Sequence, residues 1–97
     1  MPAELVEFLE RIRQKPDFQV LHSEFIAAAI QAYSLHVERG IAIQNGCSLS
    51  VVMERVYQLA FTRYTTAKQK LVEACARQNL SCPHIDLISV CNAIRGS

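Results

Sequence analysis

Charge is scarce in this chain. Asp, Glu, Lys and Arg make up only 20% of its 97 residues, against about 25% in an ordinary soluble domain. A short polypeptide has the most surface per residue and so the greatest need of a polar coat. The shortage therefore points to self-association or a lasting partner. Neither sign is in excess: ten basic and nine acidic residues leave a net charge of +1. That balance gives nucleic acid, an acidic substrate or an anionic membrane nothing to follow. The longest uncharged stretch, Gly40 to Met53, falls short of the ~20 apolar residues of a membrane span. The start, Met-Pro-Ala-Glu with Glu4, Glu7 and Glu10, lacks the positive region and apolar run of a secretory signal. The cytoplasm is the expected location, with no membrane and no nucleic acid as partner.

Chemical motifs are missing as well. The chain has no Gly-rich phosphate loop, no Gly-x-Ser-x-Gly elbow and no His-Glu-x-x-His pair. A small all-helical enzyme of the chorismate-mutase size class is the rival reading. It would need Arg11, Arg39, Arg55 and Arg63 to converge from different helices, and nothing in their spacing requires that. No catalytic residue and no cofactor are expected. His22, His36 and His84 each lack a partner at metal or acid–base spacing. Cys75, Cys82, His84 and Cys91 are chemically a zinc set, but their gaps lack the tight Cys-x-x-Cys pair of structural sites. No metal is expected, and the four cysteines, Cys47 included, read as reduced and mostly buried.

What is present is helical periodicity, in a single helical domain over residues 1–97. Pro2 suits a first helical turn, Leu5, Phe8, Leu9 and Ile12 recur at helical spacing, and Pro16 ends the element. A second helix runs to about Asn45, from a start at Asp17 or Ser23. Its polar residues Glu24, Gln31, Glu38 and Asn45 repeat every seventh position, which keeps them on one side with a drift of about 20° per step. Apolar residues fill most other directions, so this helix wants neighbours almost all round. Gly40 inside it marks a kink or a close crossing, and Gly46 suits its C-terminus.

Ser48 or Ser50 caps a third helix that reaches about Gln78, with Cys47 and Val52 spaced as a hydrophobic staple around Ser48. Met53, Tyr57, Ala60, Tyr64, Ala67, Leu71 and Ala74 form its coiled-coil-like seam. Val52, Val56, Leu59 and Phe61 widen that seam early, whereas Arg63, Lys68, Lys70 and Arg77 line the later part. The first half therefore reads as core and the second as solvated. Pro83 fits the start of a short, very apolar fourth helix.

The expected architecture is all-α: four helices, the two long ones an antiparallel hairpin, the two short ones flanking it, assembled as a homodimer. The interface falls on Ile26, Ala29, Ile30 and Tyr33, on Tyr57, Phe61 and Tyr64, and on Leu87, Ile88 and Cys91. Ala27 to Ala29 and Ala32 allow helix 2 close approach to its symmetry mate. In format alone, the chain resembles the small helical anti-activators that hold quorum-sensing regulators inactive; no motif residue carries that likeness. The functional expectation is a protein-interaction module that binds and sequesters a partner protein such as a transcriptional regulator. A secretion-type chaperone is the alternative, weakened because most of those are acidic.

Overall fold

The computed structural model describes residues 3–47 and 50–96. They form α1 (Ala3–Arg13), a 3-10 turn (Pro16–Phe18), α2 (Gln19–Gln44), α3 (Val51–Arg77) and α4 (Leu87–Gly96), with no strand among the described residues. The fold is all-α.

Local chemistry sets the boundaries. Lys15, held extended before Pro16, breaks the chain between α1 and the 3-10 turn. That turn drives Phe18 into the core at 0% exposure. α2 starts at Gln19 without a side-chain cap, so neither Asp17 nor Ser23 caps it. It ends on Gly46, whose φ of 74° lets Cys47 N donate to Ala42 O at 2.8 Å and Gly46 N to Ile43 O at 3.1 Å. This double closure satisfies carbonyls that a helix end leaves free. α3 ends in the same way on Asn79, at φ 56°, with Leu80 N donating to Cys75 O at 2.9 Å. Its N-terminus is capped by Ser50, whose Oγ accepts from Met53 N. The staple around Ser48 and the placement of Pro2 lie outside the described residues. α4 begins four residues after Pro83, at a cap made by Asp86. Ser89 N donates to Asp86 Oδ1 at 2.9 Å and Ser89 Oγ to Oδ2 at 2.8 Å, which holds the carboxyl below its usual range.

α2 and α3 pack along each other with their contacts in reverse order. Asp17, just before α2, accepts from Gln78, Phe25 meets Tyr64, His36 meets Tyr57, and Arg39 pairs with Glu54. The α3 seam is occupied as its periodicity requires, with Ala60, Tyr64, Ala67, Leu71 and Ala74 buried and Met53 and Tyr57 half-buried. Glu24, Gln31, Glu38 and Asn45 all face water.

The distribution of core along α3 is the reverse of the sequence expectation. Val51, Val52 and Leu59 are 87%, 69% and 65% exposed, whereas the buried residues begin at Ala60 and run to Cys75. The reason is the position of the short helices. α1 and α4 gather where α2 carries Phe25, Ala28, Ala29 and Ala32, and leave its other end open. Ala28, Ala29 and Ala32 serve this packing, all at 0% exposure, whereas Ala27 is exposed. Only Cys75 and Cys91 are buried thiols; Cys47 is exposed and Cys82 half-buried.

Neighbouring residues on α3 provide the check. Leu71→Ala should lower unfolding free energy in chemical denaturation by about 2–5 kcal/mol. Val72→Ala, on the outer side, should change it by less than about 1 kcal/mol. Equal losses at the two positions would place the core elsewhere.

Candidate protein-interaction surface

A helix rises about 1.5 Å per residue. The 26 residues of α2 are therefore about 39 Å long, and the 11 of α1 and 10 of α4 only about 15 Å each. Grouped at one end, the short helices leave the far part of α2 and the near part of α3 as a bare pair. Val37, Ile41 and Ile43 are exposed there on α2, and Val51, Val52, Val56, Leu59 and Phe61 on α3. Gly40 to Met53 contributes no charge to this end.

The α2 side of this end holds a groove of about 310 Å³, lined by Tyr33, His36, Val37, Gly40, Ile41, Gln44 and, from α4, Ile88. It starts where α4 starts, so it continues the track on which α4 lies. Gly40 is its floor. A Cβ at Gly40 would meet nothing within 4 Å, and α2 runs unbroken through the position. No close crossing within the chain needs the glycine.

Rings bridge the bare end to the core. Tyr33 to His36, His36 to Tyr57, Tyr57 to Phe61, Phe61 to Tyr64 and Tyr64 to Phe25 have centroids 5.6–6.5 Å apart. Two guanidiniums cover the rim: Arg39 lies 5.5 Å from the Tyr57 centroid and Arg95 5.1 Å from that of Tyr33. Arg39 Nε also donates to Glu54 Oε1 at 2.9 Å, so these two charges are matched within the chain.

The residues singled out from the sequence divide into three groups. Ile30, Phe61 and Ile88 are exposed; Ile26, Tyr33, Tyr57 and Leu87 are half-buried; Ala29, Tyr64 and Cys91 are buried within the protomer. The last three pack against their own chain: Cys91 Sγ donates to Ala29 O at 3.7 Å and Tyr64 sits in the helix seam. Tyr33 and Ile88 share the groove, and Ile30 lies beside Tyr33 and Cys91. Ile26 points to the other side of α4, towards His22 and α1. Burial there lowers the His22 pKa, helped by Arg13. The sequence reading did not assign Val37, Ile41 and Gln44 to this surface, although their spacing and lack of charge were the available signal.

Arg63 and Lys70 share a groove with Glu24, Thr66 and Ala67, apart from Arg39. Among the described residues no group of three His, Cys, Asp or Glu is placed to hold a metal ion. No described helix is long and apolar enough to cross a membrane. No family model matches the chain, and no curated protein or solved structure matches it either.

Tyr64 carries the most perturbed phenol. Burial pushes it up to about 12, with Asp86 and Cys91 adding to the shift. Its Oη is buried without a hydrogen-bond partner among the described residues. An unpaired buried hydroxyl costs about 1–3 kcal/mol. Tyr64→Phe should therefore leave stability unchanged or raise it, read by thermal unfolding; a clear loss would reveal a bond that this hydroxyl makes.

Proposed function

We propose that this chain is a protein-interaction module that works through the bare end of α2 and α3, acting as an antiparallel hairpin. The observation that carries the reading is the combination at that end of exposed aliphatic side chains with an uncharged run from Gly40 to Met53. Solvent-facing helix surfaces ordinarily carry charge, and contiguous apolar patches mark interaction sites.

The first occupant is a second copy. Two helices form one layer, and a stable helical core needs a further layer against it. A second hairpin laid on the first supplies four helices, the common bundle number. The face is neutral, so identical copies meet without repulsion, and an isologous contact uses the same patch twice. Gly40 fits this arrangement, because a residue without Cβ lets a foreign helix approach α2. The homodimer keeps Ile30 as further apolar ground for a different protein. The function that follows is sequestration of a partner, such as a transcriptional regulator, by cover rather than by chemistry.

Gly40→Leu and Ile41→Glu test this. Neither position is packed inside the protomer, so both variants should keep helicity and cooperative unfolding. The unsubstituted chain should show a dimer mass by light scattering at low micromolar concentration, and both variants a monomer mass. If it remains a monomer up to millimolar concentration, and the variants are no more soluble, the bare end is not a binding face.

A further inference from the structure

The turn after α3 brings two thiols together. Asn79, in the left-handed conformation, reverses the chain, and Leu80 N closes back on Cys75 O at 2.9 Å. Two residues further on, Cys82 packs against the same core that holds Cys75; its Sγ donates to Pro83 O at 3.6 Å, and each of the two thiols acts on the ionisation of the other. Their access differs sharply. Cys75 is 1% exposed and part of the core, whereas Cys82 is half-buried and open on one side. Lys68, seven residues before Cys75 and so on the same side of α3, acts electrostatically on Cys82. The other cysteines are elsewhere: Cys91 is engaged with Ala29 O, and Cys47 is exposed at the bare end of the helix pair.

We propose that Cys75 and Cys82 form a reversible dithiol–disulfide pair, oxidised by a small aliphatic disulfide of the glutathione class. Access fixes the order of events. The Cys82 thiolate attacks one sulfur of the oxidant, forms a mixed disulfide and releases one small thiolate. The Cys75 thiolate then attacks the Cys82 sulfur, forms the Cys75–Cys82 bond and releases the second. Both protein thiols lose their protons, which the two released thiolates take up. The protein gives two electrons and the oxidant is reduced to two thiols. A small dithiol reverses the exchange.

Ionisation follows the same order. Burial raises both thiols, but at Cys82 the neighbouring Cys75 thiol and the charge of Lys68 oppose it. At Cys75 the neighbouring sulfur adds to burial, which takes that thiol up to about 11. Cys82 is therefore the first to become a thiolate, the form that reacts. The bond would pin to α3 the segment that carries Leu80, Cys82 and Ile85 into the core and leads to α4. Oxidation therefore tightens the attachment of α4. A disulfide of this reversible kind is the sort a reducing compartment permits. The inference is independent of the binding reading, because these thiols lie at the opposite end of the helix pair.

The test uses the full chain with Cys47→Ser, which removes the exposed thiol. Reduced protein is incubated with glutathione disulfide, quenched in acid, unfolded and alkylated. The expected product has lost two alkylatable thiols, retains no glutathione, yields a linked Cys75–Cys82 peptide and returns to its starting mass with dithiothreitol. Cys75→Ser in the same background should instead stop with one glutathione on Cys82. Three results would overturn the proposal: both thiols staying alkylatable, glutathione remaining on Cys82 with Cys75 present, or a bond to Cys91. Should Cys75→Ser fail to fold, the peptide map of the chain that keeps Cys75 decides alone.

Discussion

The structure depends on a mismatch of length. Two helices of about 40 Å are accompanied by two of about 15 Å, and the short ones lie side by side at one end. Every buried large side chain follows from that arrangement: Phe18 and Phe25, Leu5 and Ile12, Leu71 and Val90 all lie where four helices meet. The molecule is accordingly 46 Å long but only 24 and 18 Å across. One end has the layered packing of a helical core, and the other has a single layer. A uniform apolar supply along α2 is thus used in two ways, for packing at its beginning and for exposure at its end.

Within the packed end, shape carries the stability. No charged residue is buried among those described, and the ion pairs lie at the surface, where such pairs contribute little. Small residues on α2 set the spacing instead. Ala28, Ala29 and Ala32 let α3 and α4 come close, and the rings of Phe25 and Tyr64 fill the space beside them at 5.6 Å. Tyr64 accepts an unpaired hydroxyl as the cost of placing a large ring in the seam. The helix ends are closed by backbone and capping bonds at Gly46, Ser50, Asn79 and Asp86, which keeps the connections tight.

Much of this was legible in the residues. The heptad-spaced polar line of α2, the seam of α3, the break at Pro16 and the ends at Gly46 and Ser50 all follow from local rules, and the structure places them accordingly. What local rules lack is the address of a partner. Val52 and Leu59 have the same spacing and hydropathy as core residues, and only the third dimension shows that no helix reaches them. Likewise Ala29 and Cys91 look equally suited to a dimer contact and to their own core until the place of α4 is known. Asn79 is legible as the start of the break after α3, but the left-handed reversal there is not. The course that carries Cys82 back to the core holding Cys75 depends on that reversal and is invisible from spacing alone.

α4 itself connects the two ends. Ten residues are too few to make a stable helix in isolation, so α4 persists only through its docking on α1 and α2. Its first turn supplies Ile88 to the groove that Val37, Gly40 and Ile41 extend. Any chain that fills this groove touches Ile88 and hence binds the form in which α4 is docked. By linkage, occupancy of the groove must then hold α4 in place, and whatever fastens α4 must strengthen occupancy by the same factor. The segment leading to α4 packs on the core through Leu80, Cys82 and Ile85. A Cys75–Cys82 bond would therefore bias binding at the bare end without any contact between the two, through one short helix that is marginal by itself.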